Sequence, residues 1–348
     1  MRTHTAILAL PHEIISQIFI QCLPPYPLCA PLTGRDSALA LVSICGRLRK
    51  IGLAEPLLWR AFQITSIPDD NAEDPTWVNR VNDWLNRSGA TPLSIRLAFA
   101  PEHLDEAIFV ELLSAIIARR ERWEYLHLVV DTTAISRLSG PAPLLREAEI
   151  TVSEESTWDV YLLQRAVAQK IRFSDAPQMR KVRFWDVGCT VDSLPWAQLT
   201  ALTLRHMSLG QCLPLLAHTS SLAVCSLELV DEDPPTPVVV RIESLHAFIL
   251  RRDDSFDAEM HWGSSVTDYL SYFDLPAIKR LQIPMTFLSG DPPRGLERFA
   301  KLSGCRLQAL LIVRGSDEYT EDDFRSAVAA SGRITIRDED EPEMDWPV

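Results

Sequence analysis

No run of 18 apolar residues occurs in this chain of 348 residues, which leaves no segment long enough to cross a bilayer as a helix. The N-terminus lacks the basic region, apolar core and small-residue cleavage site of a secretory leader, so none is expected. Cysteine is scarce and unpatterned: the seven (Cys22, Cys29, Cys45, Cys189, Cys212, Cys225, Cys305) are odd in number and never stand as Cys-x-x-Cys. That argues against a disulfide framework and for free thiols in a reducing compartment, the cytoplasm or the nucleus. Positive charge is also short, 34 Lys and Arg against 47 Asp and Glu, and the net charge of -13 repels a phosphate backbone. With no Lys/Arg stripe interleaved with aromatics, nucleic acid is not an expected partner.

Catalytic signatures are missing too. Glycine numbers only 13, and there is no Gly-x-Ser-x-Gly elbow, no Gly-x-x-x-x-Gly-Lys-Ser/Thr loop and no dinucleotide-binding glycine cluster. None of the eight histidines forms His-x-x-x-His or His-Glu-x-x-His, and no cysteine lies at zinc-finger spacing from another. His127 and His206 fall beside strand leucines, where a surface or capping role is expected. No catalytic, cofactor-binding or metal-ligating residue is assigned, and the chain reads as a binding protein rather than an enzyme. What is present is a folding composition, 47% hydrophobic and 23% charged, with length for two or three domains.

The first sixty residues read as short helices. Ile14, Ile15, Ile18, Phe19 and Cys22 recur at three and four after Pro11, which suits a first helical turn. Pro24, Pro25 and Pro27 stop that helix, and a second is expected from Asp36 through Leu39, Leu41, Val42, Cys45 and Leu48 to Ile51. A third segment, Glu55 to Phe62, closes the block. So small a helical group buries little area alone, so its apolar side chains need either the following domain or a second protein to lie against.

The order Leu10-Pro11-x-Glu13-Ile14-x-x-x-Ile18-Phe19, then Leu39-x-Leu41-Val42-x-x-Cys45-x-x-Leu48-Arg49-x-Ile51, then Pro56-x-Leu58-Trp59-Arg60, resembles an F-box domain. In particular it is similar to the F-box-like proteins with degenerate leucine-rich repeats that mushroom-forming fungi carry in large numbers. The resemblance covers roughly residues 7 to 62 and implies a three-helix unit binding a Skp1-like adaptor of a cullin-RING ubiquitin ligase. By that resemblance Leu10, Pro11, Ile14, Ile18 and Phe19 present the first helix to the adaptor, Leu41, Val42 and Cys45 fill the second, and Leu58 and Trp59 close the third. The stretch from Leu23 to Ser37 is longer than the usual connection between the first two helices and reads as a Pro-rich surface insertion.

Beyond a polar joint at 65–76, a helical stripe (Trp77, Val78, Val81, Trp84, Leu85) precedes a period-two segment from Pro92 to Phe99. A helix follows from Leu104 to Ile117, then a strand from Trp123 to Val130. Leu-x-x-Leu-x-Leu-like pieces then recur, beginning at Trp123, Met179, Leu199, Leu222, Leu245, Ile278 and Leu307. Three adjacent spacings are about 20 to 23 residues, the range for one strand plus one return segment. The unit from Leu199 to Thr219 is the clearest, with a helix through Leu209, Cys212, Leu213, Leu215 and Leu216. No polar Asn position follows the leucine pairs, so an irregular, flattened solenoid is expected; the alternative is an ordinary α/β domain with leucine-rich strands.

The expected architecture is therefore α/β: a three-helix F-box-like domain at 7–62, a helical linker at 63–92, a degenerate leucine-rich-repeat-like domain at 93–336 and an acidic tail at 337–348. Trp185, Trp196 and Trp262 are candidate target contacts, and Trp59, Trp84 and Trp123 fit core stripes. Acid-rich loops at 153–156, 231–235, 251–254 and 317–323 read as solvated faces, or as a rim selecting a basic partner. The function these readings favour is a non-catalytic substrate receptor of a Skp1-cullin-F-box ubiquitin ligase, the box holding the adaptor and the repeats an unknown target protein. The alternatives are a repeat scaffold with no ligase link, and an α/β hydrolase or transferase without a readable motif.

Overall fold

The computed structural model describes residues 7–68, 72–153, 170–173, 175–230, 238–253, 268–288, 290–314, 319–327 and 333–338. The chain is α/β and divides into two compact units, Met1–Met179 with Val187–Leu194, and Arg180–Asp186 with Pro195–Val348. No helix among the described residues is long and apolar enough to cross a membrane.

In the first unit the elements run α1 (His12–Gln21), β1 (Ala30–Pro31), α2 (Ala38–Ser43), α3 (Gly46–Leu53), β2 (Ala61–Ile64), α4 (Thr76–Arg87), β3 (Leu93–Leu97), α5 (Glu106–Ile117), β4 (Trp123–Val130), α6 (Ile135–Leu138) and β5 (Glu147–Val152). The five strands pair in chain order, every neighbour parallel. Helix α1 turns Ile15 and Phe19 inward and leaves Ile14 outward.

The second helix expected here is two. Ser37, not Asp36, caps α2 by accepting from the Leu39 amide, and Cys45 is extended at φ -159°, ψ 167°, where it starts α3. The kink lets Val42, Leu48 and Ile51 all face the interior, and the Arg49 guanidinium donates to the Val42 carbonyl left open at the end of α2 (3.2 Å).

The third segment is a 3-10 turn, Pro56–Trp59, followed by a strand rather than more helix. Ala61–Ile64 alternates half-buried and buried side chains, the period of a strand, and joins β3 with Phe62 opposite Ile95. Residues Ala30–Pro31, inside the stretch read as a surface insertion, pair with β2 and form the edge. The stretch read as a linker carries α4, whose Trp84 packs edge-on against Trp59 at 4.9 Å and beside Phe62, so α4 belongs to the core.

The second unit runs β6 (Lys181–Trp185), β7 (Ala201–Met207), α7 (Leu209–Leu216), β8 (Val224–Leu229), β9 (Val240–Arg241), β10 (Ala247–Arg252), β11 (Phe273–Asp274), β12 (Arg280–Pro284), α8 (Pro292–Ser303), β13 (Ala309–Arg314), α9 (Glu321–Ala327) and β14 (Arg333–Asp338). Strands β6, β7, β8, β10, β12, β13 and β14 lie side by side in that order, all parallel, and β9 and β11 form a separate parallel pair. Strand β14 reaches Asp338, just into the residues read as a tail.

Each of the seven leucine-like pieces lands on a strand. Their apolar positions, Leu199, Leu202 and Leu204 or Leu222, Cys225 and Leu227 for instance, are wholly buried. One backbone device recurs with them. The amides of Thr200 and Ala201 both donate to the Arg180 carbonyl, those of Ala223 and Val224 to Thr200, those of His246 and Ala247 to Ala223, those of Lys279 and Arg280 to His246, and those of Gln308 and Ala309 to Lys279. At these five entries two successive main-chain amides share one carbonyl of the preceding strand segment, so the entry to each of these strands needs no particular polar residue.

Candidate functional site

The residues assigned to adaptor binding separate into three groups. Phe19, Val42, Leu58 and Trp59 are buried, and the Trp59 indole donates to the Gly52 carbonyl at 2.8 Å. They hold α1, α2 and α3 together and offer nothing to a second protein. Leu10, Ile18, Leu41 and Cys45 are half-buried, and Pro11 and Ile14 are exposed, Ile14 at 47%. The sequence pattern missed Ile7 (39%) and Ile44 (65%), the latter thrown outward by the kink before α3. The Arg47 guanidinium donates to the Leu10 carbonyl at 3.2 Å, which brings the turn before α1 to the start of α3, next to Ile44 and Cys45. Ile7, Ile14 and Ile44 are thus apolar groups left to water at one end of these helices, with Leu10 half-buried among them.

A cavity of about 400 Å³ opens at the C-terminal end of α1, lined by Ile20, Leu23, Pro25, Tyr26, Leu28 and Arg60 among others. Its floor is fixed: the Tyr26 hydroxyl donates to Glu124 at 2.6 Å, and the Arg60 guanidinium lies 3.9 Å from the centre of the Tyr26 ring. Burial and that carboxylate both push the Tyr26 hydroxyl away from ionisation.

The second unit holds a constellation that local motif searching did not find. Asp186 follows β6, His206 lies near the end of β7, Glu228 lies on β8 and Asp253 follows β10, so four adjacent strands each bring one titratable side chain to the same end of the sheet. His206 is the extra residue of a bulge: Arg205 pairs with Glu228 and Met207 with Leu229, leaving His206 between them at φ 58°. Asp186 shares that left-handed backbone, a conformation that Asp and His tolerate better than most residues. The bulge re-aims the imidazole along the row instead of into the core or the solvent.

His206 Nδ1 lies 2.9 and 3.0 Å from the two oxygens of Asp186. On the other side Nε2 lies 3.3 Å from Glu228 Oε1 and 3.7 Å from Asp253 Oδ1. Asp186 and Asp253 are about 5% exposed, and the bonds to Asp186 and Glu228 raise the His206 pKa to about 10 against the opposing cost of burial. Arg205 pairs with the other Glu228 oxygen at 3.3 Å and stacks on Trp185, 4.5 Å from its ring. His206 is therefore not the surface or capping residue expected of it, and Asp253 lies inside the structure rather than in a solvated acidic loop. His127 is half-buried and meets Glu149 on the next strand at 3.2 Å.

Of the tryptophans assigned to target binding, Trp185 is half-buried beneath Arg205, Trp196 is buried and presents no ring to a partner, and Trp262 lies outside the described residues. The loop at 231–235, residues 154–156 and residues 317–318 lie outside them as well, whereas 321–323 of the last acidic stretch open α9. The signal that would have found the constellation is phase: in the pieces beginning at Met179, Leu199, Leu222 and Leu245, a titratable residue stands one to three places after the last apolar position. No protein-family model and no curated protein matches the chain.

Proposed function

We propose that this chain is a non-catalytic substrate receptor of a Skp1-cullin-F-box type ubiquitin ligase, its N-terminal helices docking on a Skp1-like adaptor and its repeats, stacked as a solenoid, holding a target protein. The observation that carries the reading is the set of apolar side chains exposed at one end of the first helices, Ile7, Ile14 and Ile44, with the half-buried Leu10 among them. Side chains of this kind grouped at one place are stabilised by a partner's apolar surface, and binding there is packing rather than ion pairing. The pair of amides that recurs at five successive strand entries of the main ladder supports the solenoid, because it repeats the same step from strand to strand. A receptor of this kind performs no chemistry; it raises the effective concentration of a target near the transferring subunits.

The test is co-purification of the full chain with a Skp1-like adaptor, comparing the native protein with Ile14→Asp and Ile44→Asp. Both side chains are already solvated, so the fold should persist, which circular dichroism melting checks. The expected result is capture by the native chain and about tenfold weaker capture, or more, by each variant, the equivalent of 1.4 kcal/mol. Capture unchanged in both variants, or absent with the native chain, removes the ligase link. A second reading then stands, a repeat scaffold whose N-terminal helices only cap the sheet; the packing of Phe19, Val42, Leu58 and Trp59 into the first unit's own core favours it.

A further inference from the structure

We propose that His206, Glu228 and Asp253 form a binding site for one divalent transition-metal ion of the zinc type, with Asp186 orienting the imidazole from outside. The inference is independent of the receptor reading. One donor atom from each of the three residues lies within 4.8 Å of the others. Zinc bonds of roughly 2.0–2.2 Å at tetrahedral angles place neighbouring donors about 3.4 Å apart. The His206 to Glu228 and His206 to Asp253 separations, 3.3 and 3.7 Å, are already near that value. The remaining edge can close by rotation of Glu228, the longest of the carboxylate arms.

The surroundings suit a metal as well as the donors do. Asp186 occupies Nδ1, which leaves Nε2 as the coordinating nitrogen and fixes the ring plane, the role that an outer carboxylate plays behind a ligating histidine. Arg205 holds Oε2 of Glu228, so Oε1, the oxygen facing His206, is the one free to coordinate. The donors stand on or just beyond three neighbouring strands of one ladder, a rigid frame that costs little to organise. Binding displaces the Nε2 proton to solvent as the nitrogen lone pair takes the metal. An imidazole among the donors selects against calcium and magnesium, which prefer all-oxygen shells, and three protein donors leave a fourth position for water or for a group on a bound protein.

The full-length chain, stripped with a chelator and freed of it, is titrated with Co²⁺ while visible absorption is followed, and then with Zn²⁺ by calorimetry. The expected result is one ion per chain, a tetrahedral cobalt spectrum without a thiolate charge-transfer band, and displacement of Co²⁺ by Zn²⁺ but not by Mg²⁺ or Ca²⁺. His206→Gln, Glu228→Gln and Asp253→Asn should each weaken binding at least about tenfold, and Asp186→Asn about 10- to 100-fold. Thermal melts of the stripped proteins check that the variants are folded; where one is not, the native spectrum decides. No saturable binding to the native chain, a thiolate band showing that cysteines hold the ion, or unchanged affinity in folded His206→Gln and Asp253→Asn would overturn the proposal.

Discussion

Gly52 shows how much one absent methyl group fixes in the first unit. A Cβ at this position would run into the Val42 side chain and press on the Phe19 ring, so α3 can approach α1 and α2 only because residue 52 has none. The backbone cannot simply retreat, since the Gly52 carbonyl accepts the Trp59 indole, and Trp59 is pinned in turn by Trp84. In an unobstructed helix Gly→Ala gains about 1 kcal/mol. Gly52→Ala should instead lose about 1–3 kcal/mol, the usual cost of an overpacked core, read as a lower urea midpoint at unchanged slope. A stabilised variant would mean that the three helices meet less tightly than described. Nothing in the local sequence singles Gly52 out, because the atoms it must avoid come from α1 and α2.

At the scale of elements, α5 illustrates a helix held by its start. The Asp105 carboxylate accepts from the amides of Ala107 and Ile108 at 3.0 and 3.2 Å, two donors that the helix itself leaves open. Asp105→Ala should therefore cost about 1 kcal/mol and Asp105→Asn much less, measured by denaturant unfolding; equal losses in both would show that the charge, not the cap, matters. The strands from β6 to β13 that carry the leucine pieces were legible because three apolar positions in fixed phase are demanded by burial alone. The kink at Cys45 was not: every residue from Ala38 to Leu53 is compatible with one helix, and only the need to turn Val42, Leu48 and Ile51 toward the same interior breaks it. Strand β1 was hidden for another reason, being two residues long and in a Pro-rich stretch, with pairing to Phe62 and Gln63 its only sign. The His206 constellation escaped because its members are about one repeat apart, whereas spacing rules such as His-x-x-x-His describe neighbours on one helix.

For the whole molecule, the decisive property is that strands meet in the order in which they are made. Within each unit every strand of the main ladder bonds only to the strand before and the strand after it, an order for which stability built from nearest-neighbour steps is the expectation. Among the described residues strand β14 is the last of that order, and β8 and β10 have neighbours on both sides. Opening should then begin at β14 and reach β8 and β10 last, because freeing an interior strand breaks two ladders and uncovers apolar side chains on both sides. Native-state hydrogen exchange followed by mass spectrometry reads this directly: amides of Ala247–Arg252 should outlast those of Arg333–Asp338 by the free energy of the intervening steps. Equal protection in the two segments across a range of sublethal denaturant would mean that the second unit unfolds in one step. The row from Asp186 to Asp253 would then owe its alignment to a single cooperative core. With the gradient, its Glu228 and Asp253 stand on or just after β8 and β10, the strands expected to open last in the second unit, so a site assembled from four successive strand ends can hold its distances without local sequence spacing.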